Sequence, residues 1–135
     1  MKLSGRCYCG DVAFAAEGEP VMRAQCHCRE CQYITGGGPN VFVAMPLEGF
    51  TYTRGEPARF ERDDLQRPVR REFCRRCGTH LTSWPPGFPA VIVKVGALDD
   101  PKAFGGPQLA IFTCDAQPFH LIAEGVPAYE RTPGA

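Results

Sequence analysis

Apolar residues along this chain come in strand-sized bursts, most of them closed by glycine or proline. Residues 6–9, a turn at Gly10-Asp11, and then Val12, Phe14 and Ala16 alternating with their neighbours predict a hairpin that stops before Gly18 and Pro20. Short strands follow over residues 21–25, 41–45, 50–53 and 58–61, the last three set apart by Pro46, Gly49, Gly55 and Pro57. A further strand, residues 69–73, leads into a cysteine turn, and residues 80–84 form its outgoing arm. Residues 90–98 are the most β-like run, continuous enough to be buried on both faces, which predicts the central strand of a sheet. Asp99-Asp100-Pro101 reads as a helix cap followed by proline at the first helical position, so one or two helical turns are expected near residues 102–104. Residues 109–113 return to strand, and residues 131–135 are expected to fray.

A chain of 135 residues suits one domain, residues 1–135, with a modest core. Its 15 glycines and 13 prolines leave little room for long helices, so the expected fold class is mainly β: a single domain of short antiparallel strands with little helix. The 15 basic and 15 acidic side chains cancel, which gives no global field to gather nucleic acid or an anionic membrane. Basic and aromatic residues are not interleaved, which further counts against nucleic acid. No run approaches the ~18 apolar residues of a membrane span, and residues 1–7 lack the apolar core of a secretory signal. A cytoplasmic protein is expected, and in a reducing compartment the 8 cysteines are better explained by metal than by disulfides.

The cysteines fall as Cys7-x-Cys9, Cys26-x-Cys28-x-x-Cys31 and Cys74-x-x-Cys77, with Cys114 alone. Close pairs separated by long gaps suit tetrahedral zinc, to which each short pair supplies two ligands from one turn. Cys9 precedes Gly10 and Cys77 precedes Gly78, and a glycine there lets each knuckle turn with positive φ, so the two half-sites look alike. Cys7, Cys9, Cys74 and Cys77 are therefore expected to form a closed structural zinc site that clamps the N-terminal hairpin to the middle of the chain. Arg70, Arg71, Arg75 and Arg76 either offset its negative charge or form a solvated strand face.

Cys26, Cys28 and Cys31 remain, three thiolates that leave a fourth coordination position open, as in a catalytic zinc site. The alternative is a second closed site completed by Cys114, His27, His80 or His120. An open site is preferred because the three ligands come from one segment and spacing fixes no fourth. Two zinc ions per chain are thus expected. Cys114, ending an apolar run, is expected to be buried as a small hydrophobe, and His27 to point away from the metal its neighbours share. Trp84 and the phenylalanines are expected in the core, with Phe42, Trp84 or Phe112 able to wall the second site. The glycines at residues 36–38 predict a loop whose bare backbone can approach a ligand.

These motifs carry a resemblance over nearly the whole chain. Gly5-Arg6-Cys7-Tyr8-Cys9-Gly10, Cys26-His27-Cys28-Arg29-Glu30-Cys31 with Thr35-Gly36-Gly37 downstream, and Phe73-Cys74-Arg75-Arg76-Cys77-Gly78-Thr79 resemble the glutathione-dependent formaldehyde-activating enzyme family, which also includes the centromere protein V group. The resemblance implies a zinc-stapled β-tent fold, a structural zinc on Cys7, Cys9, Cys74 and Cys77, and a second zinc on Cys26, Cys28 and Cys31. It implies a carbon–sulfur lyase that adds the thiol of glutathione, its co-substrate, to formaldehyde, so a small-molecule thiol and an aldehyde would be its partners. Cys26, Cys28 and Cys31 would then be the catalytic residues, as ligands of the open zinc, with arginines meeting the carboxylates of glutathione. Glu30, Asp63, Asp64 and Asp115 receive no role as acid or base. Two competing readings are a non-catalytic zinc module for a protein partner, and a thiol switch that loses zinc and oxidises at the Cys26 to Cys31 turn.

Overall fold

Alternation with a period of two buries Phe14 and Ala16 while Ala13 and Ala15 stay partly covered, so residues 13–17 can only be a strand with one face on a core. The same logic runs through the chain. A computed structural model describes residues 1–134. Its strands are β1 (Lys2–Arg6), β2 (Ala13–Glu17), β3 (Met22–Cys26), β4 (Asn40–Pro46), β5 (Phe50–Arg54), β6 (Ala58–Phe60), β7 (Arg70–Phe73), β8 (His80–Trp84), β9 (Ala90–Lys94) and β10 (Leu109–Ile111), with one α-helix, α1 (Arg29–Thr35), between β3 and β4. The fold is mainly β, as the sequence predicts.

The strands form a three-stranded sheet, β1-β2-β5, and a seven-stranded sheet, β10-β3-β4-β9-β8-β7-β6. Strand β9 takes the middle of the larger sheet, with β4 and β8 antiparallel on either side. The regular strand stops at Lys94, short of the predicted end at residue 98, because Val95–Ala97 tightens into a 3₁₀ turn. Between the described strands all pairings are antiparallel except β10 with β3, a parallel edge pair that departs from the expected antiparallel set. The turn near residues 102–104 is a 3₁₀ helix, Pro101–Phe104, capped as predicted by the Asp100 carboxylate, which accepts from the Lys102 amide.

One face of the larger sheet closes on the smaller sheet through Val43, Met45, Val91 and Val93 on one side and Leu3, Val12, Phe14 and Ala16 on the other. The approach is close enough that a Cβ on Gly5 would stand 2.3 Å from the Ala97 carbonyl oxygen, so only glycine fits where β1 bridges to Leu98. The opposite face carries Ala24, Phe42, Ala44, Ala90 and Ile111. Against this side lies the segment after β10, whose backbone pairs with residues 127–131: the Ala110 amide donates to Pro127 and the Phe112 amide to Arg131. Arg131 is therefore tied down where fraying was expected, while Ala135 lies outside the described residues.

Between the sheets one carboxylate organises a polar network. Glu72, 1% exposed, accepts from the Tyr52 hydroxyl at 2.8 Å, the Trp84 indole at 2.9 Å and the Thr82 hydroxyl at 3.2 Å. Its second oxygen lies 3.0 Å from Arg59 Nε and 3.1 Å from Arg70 Nε, and the Arg70 guanidinium also covers the Trp84 ring. Burial, with the Glu72 carboxylate adding to it and the Thr82 bond opposing it, pushes the Tyr52 phenol up, so it stays a donor. Removing the acceptor would leave the Tyr52 hydroxyl and the Trp84 indole to share the Thr82 hydroxyl and would deprive Arg59 and Arg70 of their counter-charge. Glu72→Ala is expected to cost about 3–5 kcal/mol in urea unfolding; a loss below about 1 kcal/mol would show that the network is not needed for stability.

Candidate functional site

The two cysteine-rich turns at the ends of β1 and β7 meet. Strand β1 delivers Cys7 and Cys9 in the turn to β2, and β7 delivers Cys74 and Cys77 in the turn to β8. Gly10 and Gly78 carry φ of 87° and 77°, the positive values predicted for the two knuckles. Cys9 Sγ stands 3.6 Å from Cys7 Sγ and 3.7 Å from Cys74 Sγ, and all four sulfurs lie within 4.8 Å of one another. A tetrahedron with Zn–S bonds of ~2.3 Å has sulfur–sulfur edges of about 3.8 Å, so this donor set fits a zinc ion. Amide donors also suit thiolates there: Val12 N to Cys7 Sγ at 3.2 Å and Cys77 N to Cys74 Sγ at 3.5 Å. The Thr79 hydroxyl and amide draw the Cys77 thiol down to about 5.

The arginines distribute differently from the expectation. Arg76 pairs with Asp11 beside Cys9, and Arg75 is exposed. Arg70 turns to Glu72, and Arg71 crosses to the other face, where it bonds Ser83 and Glu30. Alternation along β7 separates them, since successive side chains leave a strand on opposite faces.

The second cluster forms where β3 runs into α1. Cys26 ends the strand, Cys28 is the N-cap residue and accepts from the Cys31 amide at 3.3 Å, and Cys31 lies in the first helical turn. Their three sulfurs lie within 4.8 Å of one another. Among the described residues no His, Cys, Asp or Glu adds a fourth donor to that group. Donation from the Cys26 and Cys31 thiols draws Cys28 down to about 2 and holds Cys26 up. Two cations face the cluster: Arg71, and Lys94, which is 7% exposed with no hydrogen-bond partner for Nζ. Burial, with the Arg71 charge adding to it, pushes Lys94 down to about 8, while the thiols of Cys31, Cys26 and Cys28 oppose the shift. A site that gathers three sulfurs and no further ligand donor, opposed by buried positive charge, fits a metal with one position left over.

Each proposed fourth ligand lies elsewhere. Cys114 is exposed, not buried, because Phe112 turns the chain left-handed (φ 53°) after β10 and sends residues 113–115 outward as a 3₁₀ turn. His27 points away from the sulfurs as predicted and is fully buried: its Nε2 lies 2.9 Å from Gln25 Nε2 and its Nδ1 2.9 Å from His120 Nδ1. His120 Nε2 donates to the Gly37 carbonyl at 2.7 Å, which leaves its Nδ1 to accept from His27. His80 Nδ1 is buried without a partner. Two amides of the glycine run are already used in capping the helix. Gly36, with φ 83°, ends α1, and the amides of Gly36 and Gly37 both bond the Gln32 carbonyl.

The sulfurs open onto a chamber of about 520 Å³. Phe42 and Phe112 wall it as anticipated, whereas Trp84 faces the inter-sheet core. Phe88, Ile92, Ile111 and the buried Asn40 also line it, and sequence alone did not single these out. Asn40 sits opposite Cys26 across the β3–β4 pair, a register that only the sheet reveals. Gln32 holds the helix against the far wall by donating to the His27 and Asp115 carbonyls, both at 2.9 Å.

A model of the glutathione-dependent formaldehyde-activating enzyme family matches residues 2–115. No curated protein matches the chain. A crystal structure of a Rhodobacter sphaeroides protein is similar in fold, with a TM-score of 0.60 and 21% identity, over 78% of this chain and 97% of that one.

The histidine pair makes the cluster dependent on residues far along the chain. His120→Ala would leave a buried donor on His27 unpaired, at a cost of about 1–3 kcal/mol in urea unfolding; a change under about 0.5 kcal/mol would mean that the pair does not anchor this turn.

Proposed function

The chain belongs to the glutathione-dependent formaldehyde-activating enzyme family, and from that premise we propose that it is a zinc-dependent carbon–sulfur lyase of cytoplasmic, single-domain type, acting on the adduct of a small thiol and an aldehyde. The observation that carries the reading is the cluster of Cys26, Cys28 and Cys31, three sulfurs without a fourth ligand donor, at the floor of a chamber large enough for a small molecule. In the forward direction the thiol S–H bond breaks and a C–S bond forms to the aldehyde carbon. The carbonyl π pair moves to oxygen, which takes up a proton, and the reverse step undoes each change. A zinc ion held by the three cysteines would supply the charge that keeps an incoming thiol ionised at neutral pH.

The chain's own residues do the rest. Cys26, Cys28 and Cys31 present their sulfurs from one turn, so the metal they would hold faces the chamber. Arg71 and Lys94 offset the accumulated negative charge. Asn40 presents an amide at the wall beside Cys26. Glu30 is occupied by Arg71, and an Asp115 oxygen accepts from the Arg29 amide, so neither carboxylate is a free base. Cys7, Cys9, Cys74 and Cys77 would hold a second, structural zinc. Glutathione is the thiol that the family points to. The open geometry also favours this reading over a binding module, which has no need of an exposed coordination position beside a chamber.

Exchange NMR of glutathione and formaldehyde should show faster formation and breakdown of S-hydroxymethylglutathione with zinc-loaded protein than with buffer, and Cys28→Ser should abolish the difference. Equal rates in protein and buffer would count against the lyase reading. Metal analysis should find two zinc ions per chain, one in Cys28→Ser with the fold retained, whereas Cys74→Ser should lose cooperative unfolding. Equal damage by the two substitutions would contradict the division into structural and open sites.

A further inference from the structure

The chamber is more apolar than formaldehyde requires. A cavity of about 150 Å³ lined by aliphatic and aromatic side chains already accommodates benzene, and this one measures about 520 Å³. Formaldehyde has two heavy atoms and no hydrocarbon to set against the walls. Those walls come from separate elements that converge: Met22 from β3, Phe42 from β4, Ile92 from β9 and Ile111 from β10, with Phe88 from the loop between β8 and β9 and Phe112 directly after β10.

Phe112 adds a second, independent observation. It is the only non-glycine residue with positive φ among the described residues, at φ 53° and ψ 41°. For a bulky side chain that conformation is strained, whereas glycine adopts it freely. The chain holds it there with hydrogen bonds from the Phe112 amide to the Arg131 carbonyl and from the Thr113 amide to the Tyr129 carbonyl, and the side chain so held lines the chamber.

Most charged groups at the chamber are already partnered, the buried Lys94 ammonium that faces the sulfurs being the exception. Arg71 bonds Ser83 and Glu30, an Arg29 Nη bonds the Gln32 side chain at 2.5 Å, and Asp115 accepts from the Arg29 amide. What the walls offer beyond the sulfurs is therefore mainly apolar contact surface.

We propose that the chamber takes the hydrocarbon part of a larger carbonyl compound, an aromatic or branched aliphatic aldehyde, so that the preferred adduct joins a small thiol to an apolar aldehyde and not to formaldehyde. This rests on the lyase reading of the same site. The balance is unchanged: the thiol proton is released, sulfur bonds to the aldehyde carbon, and the carbonyl oxygen becomes the hydroxyl of the adduct.

The test compares benzaldehyde with formaldehyde, each with glutathione, by exchange NMR on zinc-loaded wild type and Phe112→Gly, a change that removes the ring while relieving the backbone. Benzyl alcohol serves as an unreactive binding probe. The expected result is a rate acceleration for benzaldehyde at least about tenfold above that for formaldehyde, with the ratio falling about tenfold in Phe112→Gly, the range set by lost hydrophobic contact in a pocket. Benzyl alcohol should bind wild type saturably and the variant more weakly. An acceleration of formaldehyde equal to or above that of benzaldehyde would overturn the proposal and leave the lyase reading intact. If neither aldehyde reacts faster than in buffer, the lyase reading fails. Saturable benzyl alcohol binding that weakens in Phe112→Gly would then still uphold an apolar-ligand chamber, and its absence would overturn that as well.

Discussion

Four sulfurs closing on one point are the constraint on which the rest depends. Cys7 and Cys9 belong to the smaller sheet, Cys74 and Cys77 to the larger one, and the pairs are separated by 65 residues between Cys9 and Cys74. Contacts so distant in sequence are entropically expensive to form. A metal-filled tetrahedron would fix both turns at once, and the two sheets would then meet in a definite register. That register is what lets Gly5 slide against Ala97 and lets Glu72 reach Tyr52 on the opposite sheet.

With that face filled, the other side of the larger sheet is free to be incomplete. Val43, Met45, Val91 and Val93 point into the packed interior, and their neighbours Phe42, Ile92 and Lys94 point to the cysteine side. The alternation of a pleated strand thus divides one segment between stability and chemistry. Residues that would otherwise interdigitate are held apart there by α1 and the segment after β10, and the space between them is the chamber.

How far the sequence reveals this follows from the range of each interaction. The cysteine partition was legible because ligand spacing and the following glycines are local signals, and φ at Gly10 and Gly78 bears them out. Strand β9 as the central strand and the Asp100 cap were legible for the same reason. Cys114 was misjudged because its exposure depends on a left-handed Phe112, which no propensity predicts. The glycines at residues 36–38 predict a ligand loop, whereas Gly36 caps α1, a helix too short to give a periodic signal in the sequence. Asn40, Phe88 and the His27–His120 pair are visible only once β3, β4 and the C-terminal segment are laid side by side.

The two clusters also differ in how they are held, and the difference matches what each would do. Both halves of the first lie in turns of separate sheets, so all its ligands are committed to joining them. The second draws every sulfur from six consecutive residues, Cys26 to Cys31, and therefore joins nothing by itself. Its position is set instead by hydrogen bonds around it: Gln32 to the His27 and Asp115 carbonyls, His27 to His120, and Arg71 to Glu30. A site fixed by its surroundings need not close its coordination sphere to stay in place. That freedom is the physical condition for leaving a ligand position turned toward the chamber, which the proposed chemistry would need.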